Sequence, residues 1–391
     1  MMNKTLSDYA FYVTDRIPVK NLTSKTFVGV DNMLPNRGGI TESEYIPFDG
    51  TATNFKKGDI LIGNIRPYFK KIWLAEFEGG CSNDVLCIRT KGEVSPQFLY
   101  AVLSQDSFFK YDMSGSKGSK MPRGDANHLM RYPIIINKNM EEIGNFVVNL
   151  YKKIVYNNKI NSELESMAKT LYDYWFLQFE FPNAEGKPYK SSGGKMVYNE
   201  QLKKEIPEGW EVKKLGELLT KQNRNFNYDK VVNTVDLSIM PTNSLSLNEL
   251  NKSNLFDTNL FGLKKYDILF GSIRPYLKKA CIAPCDGAVA GTVHCYIVNK
   301  ESDYNFSLIT LCSDNLFKFA INNSKGTKMP VVSSDDLLEY LVAYNEDMVK
   351  LFNSLNLKEV ISNNIMQNQE LTSLRDFLLP LLMNGQVTIG D

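Results

Sequence analysis

Two spacings of apolar residues alternate along this chain. Short runs bounded by Gly, Pro and Asp predict strands over residues 59–65, 72–75 and 85–88, and again over 267–273, 282–283 and 293–298. Helical spacing predicts one helix over 98–109 and another over 306–319. A much longer pattern begins at Asn139-Met140-Glu141-Glu142, an N-cap residue with a carboxylate three positions on. From there Ile143, Val147, Leu150 and Ile154 step by fours and threes to Asn157 and Asn161, then to Leu164, Ala168, Leu171 and Trp175. This is a heptad seam interrupted by two asparagines, and it predicts a helix running to about Phe179. Near the end of the chain the same seam returns as Leu357, Ile361, Asn364, Asn368, Leu371, Arg375 and Leu378.

The recurrence is not confined to the helices. Residues 56–71 read KKGDILIGNIRPYFKK and residues 264–279 read KKYDILFGSIRPYLKK, identical at twelve of sixteen positions and offset by 208. Ser116-Lys117-Gly118-Ser119-Lys120-Met121-Pro122 returns at the same offset as Ser324-Lys325-Gly326-Thr327-Lys328-Met329-Pro330. Two long periods nearly fill the chain, so it is a duplicated domain, since solenoids repeat every 20–50 residues. The helices follow at an offset of 207, with both asparagines retained. Asparagines at seam positions cost stability and fix register. Their recurrence favours two helices that pair with each other, antiparallel about a pseudo-twofold axis; the alternative is two separate amphipathic helices, each packed on its own globule.

The predicted class is therefore α+β: two similar α/β globules separated by two long antiparallel coiled-coil helices, pseudo-twofold symmetric. The expected boundaries are 1–138 for the first globule, 139–181 for the central helix, 182–205 for a linker, 206–345 for the second globule, and 346–391 for the C-terminal helix and tail. Phe181-Pro182 stops the central helix, and Ser191-Ser192-Gly193-Gly194 reads as flexible.

Length and composition fit at least two globular domains. The net charge of +1 supplies no global field, so any polyanion site must be local. There is no apolar leader and no membrane-length apolar run, and the six cysteines read as reduced thiols, so a cytoplasmic protein is expected. No catalytic motif stands out in the sequence. HExxH, GxSxG, a Walker loop and the methyltransferase signatures are absent, and the two histidines, His128 and His294, are out of register with each other. No catalytic residue is assigned. No metal site is assigned either: Cys281, Cys285, His294 and Cys295 suggest zinc, but Cys281 and Cys285 align with Trp73 and Phe77, which are core-type residues.

What remains is basic and aromatic. Lys56, Lys57, Arg66, Lys70 and Lys71 against Asp59 leave a local +4, and Lys264, Lys265, Arg274, Lys278 and Lys279 against Asp267 leave the same. Lys117 and Lys120 in one glycine loop, and Lys325 and Lys328 in the other, add two lysines per copy. Glycine lets backbone N–H groups approach phosphate while lysine supplies charge, which suits two equal contacts with a DNA backbone. The same residues serve equally well as strand-and-turn framework with a solvated lysine face. Sequence-reading residues belong where the copies differ. Residues 220–261 offer Gln222 and Arg224, matched to adenine and guanine, and the first copy offers Asn32, Asn36 and Arg37.

The chain resembles the specificity (S) subunits of type I restriction–modification systems over essentially its whole length. The resemblance rests on Ile206-Pro207-Glu208-Gly209-Trp210-Glu211 and Leu215-Gly216-Glu217 opening the second half, on Tyr174-Trp175-Phe176 through Phe181-Pro182 closing the central helix, on Gly186-Lys187-Pro188-Tyr189-Lys190, and on Leu378-Leu379-Pro380-Leu381-Leu382-Met383-Asn384-Gly385. The first half departs by opening at Leu6-Ser7-Asp8-Tyr9 instead. The resemblance implies two target-recognition domains, each reading one half of a bipartite double-stranded DNA target, with the helix pair setting the gap. It implies a non-catalytic chain with no cofactor of its own. S-adenosylmethionine would belong to methyltransferase partners, two of them, acting on adenine N6, while ATP and magnesium would belong to restriction partners. A bacterial cytoplasmic location follows, with no membrane. A stand-alone two-headed DNA-binding regulator and a coiled-coil adaptor without DNA contact are the alternatives.

Overall fold

The computed structural model describes residues 4–136 and 138–389. The chain forms two compact units, one of residues 1–155 with 370–391, the other of residues 156–369. Each globule thus shares its unit with parts of both long helices.

In the first unit the motif strand Ile60–Gly63 lies between Val85–Thr90 and Ile72–Leu74, with Ala10–Tyr12 beyond Val85–Thr90, all antiparallel. A second sheet takes the order Arg16–Pro18, Thr51–Phe55, Gly79–Cys81, Phe27–Val28, its last pair parallel. Alternation explains the Ile-Leu-Ile run, since successive strand side chains point to opposite faces. Ile60 and Ile62 join Phe98, Leu99 and Phe108 in a core under the helices. Leu61 joins Phe55, Trp73 and Cys81 between the sheets. Both faces are covered, so the run needs no polar alternation.

The second unit repeats this plan. Leu219–Gln222, Val293–Val298, Ile268–Gly271 and Ala280–Ile282 follow the same strand order. The other sheet runs Arg224–Asn225, Leu260–Leu263, Gly287–Ala290, Asn233–Val235, and adds a fifth strand, Asn251–Lys252. The duplication read in the motifs therefore extends to segments whose sequences have diverged.

The Asp that begins each motif strand is buried and organises its turn. Asp59 accepts from Lys56 N–H at 2.7 Å and pairs through both oxygens with Arg89 at 2.7 Å. Asp267 accepts from Lys264 N–H at 2.8 Å and pairs through both oxygens with Arg224. The two arginines come from different strands to satisfy equivalent carboxylates, which at these positions must be paired.

Three expectations are corrected. The helix expected over 98–109 is two, Pro96–Leu103 and Asp106–Gly115, and that over 306–319 is Tyr304–Leu311 and Asp314–Asn322. The breaks fall at serines: Ser104 Oγ turns back to Ala101 O at 2.9 Å, and Ser313 Oγ caps Leu316 N–H at 3.2 Å. The Ser191–Gly194 stretch is tied down by hydrogen bonds from Ser191 to Glu180 and from Gly194 N–H to Tyr189 O, and an antiparallel hairpin, Met196–Asn199 with Lys204–Pro207, follows it. The C-terminal helical region is also two helices, Glu346–Asn353 and Leu357–Met383.

The first long helix, Met140–Tyr172, continues into a π-turn at Asp173–Leu177. Within the second unit its side chains meet those of Leu357–Met383. Asn157 Nδ2 donates to Asn368 Oδ1 at 2.9 Å and to Gln367 Oε1 at 2.8 Å, and Asn364 Nδ2 donates to Asn161 Oδ1 at 2.8 Å. Asn368 Nδ2 donates to Asn158 Oδ1 at 2.7 Å. Rising numbers on one helix meet falling numbers on the other, so the pair is antiparallel. Beyond the asparagines the buried line differs from the heptad reading. Ala168, Tyr172 and Phe176 are buried, with Leu171 and Trp175 only partly so. Tyr172 and Phe176 pack on Phe306 and Phe352, so the helix serves its globule as well as its partner helix.

Candidate nucleic-acid interface

In each unit the Ile-Arg-Pro-Tyr motif forms a tight turn built on left-handed residues. Arg66 and Lys70 have φ of 52° and 51°, and Arg274 and Lys278 have 53° and 50°, each pair flanking a short 3₁₀ turn. Four non-glycine residues in this region cost roughly 1 kcal/mol each or more, a conformation that persists only where the surroundings enforce it. The enforcement is visible. Arg66 N–H donates to Pro122 O at 2.7 Å and Arg274 N–H to Pro330 O at 2.7 Å, which ties each turn to its lysine loop.

Each loop is a closed hairpin. Lys117 and Arg123 exchange backbone hydrogen bonds at 3.0 and 2.9 Å, and Lys325 and Val331 do so at 2.8 and 2.9 Å. Gly118 and Gly326 hold φ of 93° and 101° at the tips, a region that side chains rarely adopt. Turn and hairpin, joined by the Arg66–Pro122 and Arg274–Pro330 bonds, carry exposed side chains in each unit. Tyr68, Phe69, Lys117, Lys120 and the 56% exposed Met121 belong to the first; Tyr276, Leu277, Lys325, Lys328 and the 52% exposed Met329 belong to the second.

The expected lysines divide into two groups. The hairpin lysines are exposed, and of these Lys117 sits 3.3 Å from Asp125. The lysines ending the turn have internal partners. Lys71 Nζ donates to Val30 O at 2.7 Å and Lys279 Nζ to Leu237 O at 2.5 Å. Lys70 pairs with Asp106 at 2.8 Å and Lys278 with Asp314 at 2.6 Å. These four lysines therefore brace the turn. Arg224, read as matched to guanine, pairs through its guanidinium with buried Asp267. Gln222 ends a strand, paired in register with Cys295, and is half-buried. In the first copy, Asn32 is buried and donates to Phe27 O and Thr41 O, while Arg37 is buried against Ser104 O and Asp106, so both are framework. Asn36 is exposed and its N–H donates to Phe69 O at 2.8 Å. The sequence carries no signal for these roles, because most of the partners lie tens of positions away.

One buried acid has no counterpart among the expected site residues. Asp112 is fully buried beneath the first hairpin, and neither carboxylate oxygen has a hydrogen-bond partner. A Cβ on Gly124 would come within 2.4 Å of Asp112 Oδ1 and 2.6 Å of Asn64 Oδ1, so a larger residue there would have to push these side chains aside. Loss of solvation pushes the carboxyl up to about 7 from an ordinary 3.8. Between these values the folded chain holds a proton that the unfolded chain has released, so stability falls as pH rises through that window. Asp112→Asn is expected to raise the urea midpoint of the first unit at pH 8 and to leave it nearly unchanged at pH 4. Equal shifts at both pH values would contradict the assignment.

Among the described residues no group of His, Cys, Asp and Glu side chains gathers at metal-ligating distance, and no helix is long and apolar enough to cross a membrane. Cys81, Cys87, Cys281 and Cys295 are buried free thiols.

Comparison with known proteins places this architecture. No family model matches the chain. The MjaIX type I restriction enzyme specificity subunit of Methanocaldococcus jannaschii is 25% identical over 394 residues, covering 95% of this chain and 87% of that protein. The HindI type I restriction enzyme specificity subunit of Haemophilus influenzae is 22% identical over 468 residues, covering 98% of each. This chain is related to the type I specificity subunits. The likeness runs along nearly its whole length, so both globules and both long helices of the chain fall within it. The crystal structure of the type I restriction–modification S subunit from M. genitalium matches the fold with a TM-score of 0.52 at 14% identity, covering 96% of this chain and 94% of that one. The relation to specificity subunits and the mixed α+β architecture with a long helix thus agree with the expectation drawn from the sequence.

Proposed function

We propose that this chain is the DNA-reading subunit of a type I restriction–modification enzyme, each globule recognising one half of a bipartite target. The observation that carries this reading is the duplicated pairing of a strained Arg-Pro-Tyr turn with an exposed Lys-Gly-Ser/Thr-Lys hairpin, in a chain whose relatives are named specificity subunits. The hairpin lysines contact phosphate and position each globule; base edges are read by side chains of the segments that differ between the copies. The chain performs no chemistry itself. Methyltransferase subunits carrying S-adenosylmethionine, and restriction subunits using ATP and magnesium, assemble on it in the bacterial cytoplasm. The asparagine-bearing helix pair fixes the spacing of the half-sites.

Combined replacement of Lys117, Lys120, Lys325 and Lys328 by alanine tests the reading. Each phosphate that a lysine neutralises contributes about 0.9 to the slope of log K against log salt, so the slope should flatten by about 3 to 4 with base preference retained. An unchanged slope would return the hairpins to a solvated surface, and a chain with no salt-dependent DNA binding at all would favour the adaptor alternative.

A further inference from the structure

In the second unit the divergent segment is fastened to the long helix. Glu165, on Met140–Tyr172, is only 5% exposed. Its Oε2 accepts from Leu245 N–H at 2.8 Å and from Ser244 Oγ–H at 3.1 Å. Its Oε1 accepts from Lys169 Nζ at 2.7 Å, and that ammonium also donates to Asn243 O at 2.9 Å. Asn243 is itself left-handed, with φ of 55°, and its N–H donates to Lys278 O at 3.0 Å. Lys278 closes the Arg-Pro-Tyr turn, whose Arg274 is bonded to the hairpin. One connected set of hydrogen bonds therefore runs from two helix residues one turn apart, through the 243–245 loop, to the hairpin that carries Lys325 and Lys328.

The first unit closes the corresponding loop without such a pair. Asn36 and Arg37 N–H donate to Phe69 O and Lys70 O at 2.8 and 3.0 Å, and Arg37 reaches back to Ser104 O and Asp106 of its own globule, each at 2.5 Å. On the second long helix the positions matching Glu165 and Lys169 are Thr372 and Asp376. Neither can reproduce a Glu–Lys clamp.

We propose that Glu165 and Lys169 are positioning residues for recognition of one half-site: they set the 243–245 loop and the turn beneath it against the helix, and so determine how finely the second globule discriminates bases. This rests on the function proposed above. A buried carboxylate meeting two loop donors and a lysine defines the loop's place at three points. Without the clamp the loop can shift, and discrimination depends on side chains held within fractions of an ångström of the base edge.

The test is selection of bound duplexes from a randomised DNA library by the full chain, with thermal melting of each variant as a folding control. Glu165→Ala and Lys169→Met are expected to lower base discrimination at least about fivefold per position in one half of the motif and to leave the other half intact. Glu165→Gln, which keeps an acceptor for Leu245 N–H, should restore part of the discrimination. Asp106→Asn, which loosens Arg37 in the first unit, should affect the opposite half. Equal reduction in both halves, or none in a folded Lys169→Met variant, would overturn the proposal. A wild-type chain that enriches no bipartite motif would overturn the functional reading itself, a separate result.

Discussion

Inserting four residues into both long helices, after Val155 in the first and after Gln369 in the second, is expected to preserve both recognised half-sites while lengthening the spacer between them by one or two base pairs. These positions lie at the boundary between the two compact units and at one level of the antiparallel register set by Asn157 with Asn368 and Asn161 with Asn364. Four residues add about one helical turn, roughly 6 Å, close to two base-pair steps of about 3.4 Å. Both helices must be extended. An insertion in one alone would leave the asparagine pairs in place, since all four lie within residues 156–369, and would instead drive Ile143, Val147 and Tyr151 out of register with Leu379, Leu382 and Met383, which share one core in the first unit. The paired insertion is a stutter, which coiled coils accommodate by local unwinding. Changed half-sites with an unchanged spacer would contradict the role assigned to the helices.

The largest effect of a single substitution is expected at Arg224. Its alanine variant leaves the Asp267 carboxylate, 3% exposed, with no opposite charge, and breaking such a pair costs about 3–5 kcal/mol. The urea transition of the second unit should move well below that of the first. Arg224→Lys should recover only part of the stability, because a point charge cannot reproduce the two-oxygen contact. Arg89→Ala should do the same to the first unit through Asp59. A stable Arg224→Ala protein with altered preference at one base would instead make Arg224 a base reader.

The contrast at Arg224 shows where sequence reading stopped. Its neighbours Gln222, Asn223 and Asn225 place it in a polar, divergent stretch, and residue type alone matched it to guanine. Nothing in that stretch reveals a carboxylate 43 positions away. The motif Asp was legible as part of the repeat, but its partner was not, because Arg89 and Arg224 reach it from different strands and so do not align. The partners of Lys71 and Lys279 were hidden for a related reason: a lysine bonded to a distant backbone carbonyl looks the same in sequence as one reaching for phosphate.

The parts of the fold that were legible follow local rules. Ile60-Leu61-Ile62 and its copy announce buried strands because alternation and covering layers act within a few residues. The two long helices are legible because a seam repeats every seven residues. The breaks at Ser104 and Ser313 were not, since a serine is compatible with both a helix interior and a helix start. Glu165 reads as an ordinary helix-surface acid until Ser244 and Leu245 are brought against it.

The central claim is that this chain chooses a bipartite DNA target for a methyltransferase. The most direct measurement is the map of N6-methyladenine across the genome of a host with this gene intact and with it deleted. The account predicts one motif, two short half-sites separated by a fixed run of unspecified bases, fully methylated in the first case and unmethylated in the second. An identical methylation map in both hosts would contradict it.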